Sequence, residues 1–205
     1  MPKQVDPEAR RRHVVDALFR VVVRDGLQRT SLRAVADEAA LNIGSLRHYF
    51  SGQQELMRFA MGSMLERVAA RLVDRVEEIG ELIDYPRRQQ LALCTDLLAE
   101  LLPLDARRRA EVTVFLDFNT AARTDPSLAD LSRQTAEGVR DLVRRILDRL
   151  EDAGTLRPGL DRALETERLA SLVDGLGMNG VLHPEVLDPD DCLAVLRAHL
   201  KGLTR

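Results

Sequence analysis

Residues 30–56 read TSLRAVADEAALNIGSLRHYFSGQQEL, and the spacing in this stretch decides the fold. Leu32, Val35, Ala36 and Ala39 fall at i, i+3, i+4 and i+7, the pattern of a short amphipathic helix. Thr30 or Ser31 can cap its start, because a hydroxyl accepts from the free N–H groups of a first turn. Asn42 can cap a second short helix whose inner side is Leu46, Tyr49 and Phe50. Only Ala40-Leu41-Asn42 joins the two, a link too tight for an antiparallel pair, which predicts a helix-turn-helix. In that geometry the first helix crosses a DNA backbone and the second enters the major groove, which admits one α-helix. The second helix opens with Ile43-Gly44-Ser45 and then presents Arg47 and His48 on its outer side.

The same spacing of three and four runs outward through the chain, and no alternating strand appears. Upstream, Asp6-Pro7 starts a helix with Val14, Leu18, Val21 and Val22 on one face, and Gly26 closes it. Downstream, a long helix runs from about Gln53 to Leu82, with Leu56, Phe59, Ala60, Met64, Val68 and Leu72 inward, and Asp84-Tyr85-Pro86 breaks it. Later segments at about 87–102, 105–123, 126–153, 161–182 and 189–203 are separated by Pro and Gly. The expected fold is all-α, with about nine helices: a three-helix head over residues 1–52 and a helical body over 53–205.

Composition agrees. The 205 residues are 45% hydrophobic and 31% charged, enough apolar content for a packed core. The net charge of −3 hides a split: residues 1–60 hold 10 Lys/Arg against 7 Asp/Glu, while the remainder holds 20 against 26. Net charge alone argues weakly against nucleic acid, but a mildly basic head on an acidic body is an asymmetry that sets the head apart. No apolar run approaches the roughly 20 residues of a membrane helix, and the first residues lack a signal-peptide core, so no membrane partner and a cytoplasmic location are expected. Cys94 and Cys192 have no Cys or His at metal-ligand spacing and read as small core residues. His13, His48, His183 and His199 are scattered, and no nucleophile elbow or phosphate-binding glycine loop is present. No catalytic residue, metal site or cofactor is expected.

The head resembles the tetracycline-repressor (TetR) family of bacterial regulators. The matching residues are Thr30 or Ser31, Val35, Ala36, Ala39, Gly44, Leu46, Tyr49 and Phe50, and the helix from Arg11 to Gly26 is similar too. The resemblance implies that Thr30, Ser31, Arg33, Asn42, Ile43, Gly44, Ser45, Arg47, His48, Tyr49 and Gln53 make up the DNA face. Within it, Arg33, Ile43 and Gly44 match base-facing positions, and Ser45 and Tyr49 match phosphate contacts. Arg47 stands where the family usually has Tyr, and Gln53 where it usually has a phosphate-gripping Lys. Ala40-Leu41-Asn42 replaces the usual Gly-Val-Ser.

For the body, the resemblance implies a small-molecule site and a homodimer. Phe115, Phe118 and Met178 are candidate pocket walls, with Asn119 and Asn179 as polar anchors. Leu169, Val173, Leu176, Leu193, Leu196 and Leu200, on the last two helices, are candidates for the dimer interface. Gly175, Gly177 and Gly180 lie in an apparent helix at a cost of about 1 kcal/mol each relative to Ala, so a close helix approach at a dimer seam, or room for a ligand, is expected there. One short recognition helix reads only a few base pairs, so a dimer on an inverted-repeat operator is expected, with heads about 34–36 Å apart. The expected function is a ligand-responsive transcriptional regulator, most simply a repressor released from DNA by an unidentified effector. The competing reading is an all-α small-molecule-binding protein or enzyme without DNA binding.

Overall fold

The computed structural model describes residues 7–26 and 29–205. These form nine α-helices: α1 (Pro7–Asp25), α2 (Leu32–Glu38), α3 (Ile43–Tyr49), α4 (Gln53–Ile79), α5 (Arg87–Ala99), α6 (Ala106–Ala122), α7 (Pro126–Asp152), α8 (Arg162–Leu182) and α9 (Pro189–Gly202). The all-α expectation holds. The Asp6 cap proposed for α1 lies outside the described residues. The predicted fourth helix is three residues shorter than expected. Gly80 leaves the helix at φ +62, and Leu82–Asp84 form a separate 3-10 turn. The Arg149 guanidinium donates to the Gly80 carbonyl and takes up one of the acceptors that the helix end leaves unpaired.

The chain divides into two compact units, Met1–Glu66 with Thr113–Ser132, and Arg67–Val112 with Arg133–Arg205. The first unit is built on the head. Val14, Val15, Leu18, Val21 and Val22 of α1, Val35 and Ala36 of α2, Leu46 of α3, and Leu56, Ala60 and Met61 of α4 are buried. These are mostly the residues that the three-and-four spacing marks. Phe50 stacks obliquely on Phe59, with ring centroids 5.5 Å apart, and the Arg11 guanidinium lies over the other ring.

The second unit has its own core. Leu98 and Leu102, Val143, Leu147 and Leu150, Leu169, Ala170 and Val173, and Leu196 and Leu200 pack together. Its end is tied down by a single antiparallel bridge between Leu156 and Thr204. The three α8 glycines differ from one another. A Cβ on Gly180 would stand 2.8 Å from Pro103 Cγ and 3.1 Å from Cys192 Sγ, so this glycine answers a close approach inside the protomer. On Gly177 it would make ordinary contact, and on Gly175 it would meet nothing.

Both cysteines are core residues, as expected. Burial pushes the Cys94 thiol up to about 12 and the Cys192 thiol above its usual value. Only the thiolate is nucleophilic, so neither should react with an aromatic disulfide reagent at pH 8 until the protein unfolds. The expected result is no colour release from native protein and two equivalents after denaturation. Rapid reaction of one native equivalent would contradict this packing.

Candidate nucleic-acid interface

The two short helices of the first unit are set by local chemistry. Ser31, not Thr30, caps α2, its Oγ accepting from the Ala34 N–H at 3.1 Å. Asn42 caps α3, its Oδ1 accepting from the Gly44 N–H at 2.7 Å. A Cβ on Gly44 would lie 3.1 Å from that same Oδ1, so the cap itself favours glycine here. Between the helices, the Leu41 N–H donates to Ala36 O at 2.8 Å and the Ala40 N–H to Asp37 O at 3.1 Å. This is a Schellman ending, which demands a left-handed residue. Ala40 fills the position at φ +52, where side-chain-bearing residues are strained.

Charge separates the head arginines into two groups. Arg20 and Arg24 both clasp Glu38, at 2.7 and 2.8 Å, and Arg24 also pairs with Asp25. These bonds hold the Glu38 carboxyl below the usual carboxylate range. Arg33 on α2 and Arg47 on α3 are exposed and hold no ion pair among the described residues. These two exposed guanidiniums stand at positions that the resemblance implies lie on a DNA face.

The other expected contacts divide by their surroundings. Ser31, Asn42, Gly44 and Ser45 are exposed, and Ile43 and Tyr49 are half-buried. The side chain of His48 lies outside the described set. Thr30 corrects the sequence reading, which sets it on the DNA face: it is buried, and its hydroxyl donates to Gly26 O at 3.0 Å, so it secures the loop before α2. Gln53 is exposed, but its Nε2 donates to Thr30 O and braces the start of α4. The first turn of α4 is further fixed by Glu55, which accepts from the Ser51 N–H at 2.8 Å and the Ser51 hydroxyl at 2.6 Å; these bonds hold its carboxyl low.

Two contacts escaped the sequence reading. The His13 Nε2 meets Ala39 O at 2.9 Å, and the Gln54 Nε2 donates to Asp125 Oδ2 at 2.9 Å. Asp125-Pro126 was legible as a helix start, and Asp125 Oδ1 does accept from the Ser127 N–H at the start of α7. Nothing local in sequence points to a partner 71 residues away.

The body residues distribute as follows. Phe115, Phe118 and Asn119 belong to the first unit, and Met178 and Asn179 to the second. Phe118 is buried, and Asn119 is engaged on both sides, donating to Phe115 O at 3.0 Å and accepting from the Ser132 hydroxyl at 2.6 Å. Asn179 donates to Gly175 O at 2.9 Å, and Met178 is 43% exposed. Among the dimer candidates, Leu169, Val173, Leu176, Leu196 and Leu200 are buried in the protomer's own core, and Leu193 is half-buried. An apolar side chain already out of water gains nothing further from a partner. The large apolar residues that α8 and α9 leave exposed are Leu164, Met178, Leu182 and Val195. Beside them, Glu167, Arg168, Ser171, Leu172 and His199 line an open groove of about 590 Å³.

Known sequences and structures bear on this arrangement. Residues 14–58 match the profile described as "Bacterial regulatory proteins, tetR family". Residues 89–205, more than half of the chain, match "BetI-type transcriptional repressor, C-terminal". The chain belongs to the TetR family. Among its TetR relatives, the HTH-type transcriptional regulator PksA of Bacillus subtilis is 33% identical over 203 residues, covering 99% of this chain and 94% of PksA. The HTH-type transcriptional regulator BetI of Vibrio campbellii is 27% identical, covering 100% of this chain and 97% of its own. A transcriptional regulator from Rhodococcus shares the fold with a TM-score of 0.78 and 28% identity, covering 94% of this chain and 95% of that one. A regulator from Saccharomonospora viridis, solved with choline, has a TM-score of 0.78 at 20% identity, covering 96% and 95%, a likeness of fold alone. The chain is thus a TetR-type transcriptional regulator with a helix-turn-helix head and a helical body.

Proposed function

We propose that this TetR-family chain is a repressor that binds an inverted-repeat operator as a homodimer and leaves it when a small effector occupies the body. The observation that carries this reading is the pair of exposed, unpaired guanidiniums, Arg33 and Arg47, on two helices joined by a capped tight turn. Arg to guanine is the commonest specific contact in the major groove. Ser31, Asn42, Ile43, Gly44, Ser45, His48, Tyr49 and Gln53 complete the DNA face, with Thr30 behind it. The work is binding rather than catalysis, and contact with the genome places it in the cytoplasm. Residues 1–52 serve as the DNA-binding domain and 53–205 as the sensing and pairing domain. Helix α4 runs unbroken from Gln53 to Ile79, so its start is braced in the head and its end packs in the second-unit core. An effector shifts the operator equilibrium only through different affinities for the bound and released states.

The dimer seam is the outer face of α8 and α9: Leu164, Leu172, Gly175, Met178, Leu182, Val195 and His199. Gly175 has no neighbour in the protomer that requires glycine, which leaves its side of α8 open to a second copy. Phe115, Phe118 and Asn119, all of the first unit, remain candidates for effector contact.

The effector differs from the choline of the Saccharomonospora protein. Quaternary ammonium recognition relies on several aromatic faces around the cation. Past Phe59 this chain has only Tyr85, Phe115 and Phe118; the Tyr85 hydroxyl donates to Ile79 O, and Phe118 is buried. In a fluorescence-polarisation assay on a labelled operator duplex, millimolar choline is expected to leave the complex intact. Fractions of cell metabolites are expected to include one that releases the DNA. Release by choline would overturn the effector reading, and tightening by a metabolite would make the protein a corepressor-dependent one.

A further inference from the structure

We propose that His13 is a positioning residue for the recognition helix: its imidazole clamps the strained turn that joins α2 to α3. The inference rests on the DNA-binding reading above and adds a residue outside the helix-turn-helix. The turn carries a non-glycine residue at φ +52, a conformation that the two Schellman hydrogen bonds require and that the Cβ of Ala40 resists. Such strain persists only where the surroundings over-determine it. The carbonyl of Ala39, the residue immediately before Ala40, is among those that the end of α2 leaves without an intrahelical partner. His13 reaches it from α1, across 26 residues, at 2.9 Å.

A carbonyl only accepts, so Nε2 carries the hydrogen. The backbone that carries His13 is fixed, because the next residues, Val14 and Val15, are buried in the head core at 0% and 1% exposure, while the imidazole itself lies at the surface. One side chain thus connects the rigid part of α1 to the residue before the strained one. Three residues later, Asn42 caps α3. An error in the turn is therefore transmitted to the direction in which Arg47 and Ser45 leave α3.

The test uses the full chain and an operator duplex, with His13→Leu, His13→Gln, Ala40→Gly and the His13→Leu/Ala40→Gly double variant. His13→Leu removes the donor and is expected to weaken operator binding about tenfold while the protein stays folded by circular dichroism. His13→Gln keeps an N–H donor and is expected to stay near the parent. Ala40→Gly removes the strain, so the double variant is expected to recover most of the loss. The slope of log affinity against log salt should not change, because no phosphate contact is removed. In DNA-free protein, His13→Leu should speed exchange of the Leu41 and Ala40 amides, a readout independent of any operator. Unchanged affinity and unchanged exchange in His13→Leu overturn the proposal. So does a loss that Ala40→Gly fails to repair, whether it comes through unfolding or not. A shallower salt slope also overturns it, by making His13 a phosphate ligand. Absence of operator binding by the parent itself would instead contradict the regulator reading, while the amide exchange still decides the clamp.

Discussion

Replacing Arg33 and Arg47 together by alanine is expected to weaken operator binding by about 100-fold or more. Each guanidinium that reads a base edge contributes about 1–3 kcal/mol of specific binding, and well-separated sites add. The two arginines lie on different helices, are exposed, and hold no ion pair among the described residues. Their removal therefore leaves no buried carboxylate unpaired, and the protomer should melt as before. Arg20→Ala serves as the contrast, because that guanidinium faces Glu38 at 2.7 Å. Its loss should touch stability slightly and DNA little. Polarisation titrations on a labelled duplex at fixed salt check all three. Parent-like affinity in the double variant, with fold and dimer intact, would place the DNA face elsewhere.

The second large effect lies in the body. Gly180→Ala is expected to destabilise the protein by about 1–2 kcal/mol. Overpacking a filled site costs about 1–3 kcal/mol, against which alanine returns up to about 1 kcal/mol of helix propensity. The new methyl would stand 2.8 Å from a proline ring carbon, which has little freedom to retreat, and 3.1 Å from the Cys192 sulfur. Arg109 adds to the constraint, donating to the Gly180 carbonyl at 2.6 Å from α6. Gly138→Ala on the exposed side of α7 is the control, because a Cβ there meets nothing within 4 Å. It should stabilise by about 1 kcal/mol. At roughly 2–4 °C per kcal/mol for a chain of this size, thermal melts separate the two signs. A melting point for Gly180→Ala at or above the parent would contradict the packing of α8 against Pro103 and α9.

The contrast between these sites shows what the chain makes legible before it folds. The head was legible because its determinants are local. Val35, Ala36, Ala39 and Leu46 repeat at helical spacing, Asn42 stands at a cap, and Pro7, Pro126 and Pro189 open helices at positions where a missing N–H costs nothing. Ala40 was visible as a departure from the usual glycine, though only its φ shows that strain follows. The body was legible as helices but not as faces. Helix α8 carries apolar residues on several sides, so spacing alone did not tell Leu169 and Val173, which are buried in the protomer, from Leu164 and Met178, which are exposed. For the same reason Gly180 and Gly175 read alike in sequence, although one meets a proline and the other meets nothing. Contacts that join distant residues, such as His13 to Ala39 and Gln54 to Asp125, leave no periodic trace at all.

Selection of bound sequences from a random DNA pool with the purified protein tests the central claim most directly. Recovery of an inverted repeat with one preferred half-site spacing, lost when Arg33 and Arg47 are both replaced, is the predicted result. No enrichment at low salt, in the presence or absence of cell metabolites, would contradict an operator-binding regulator.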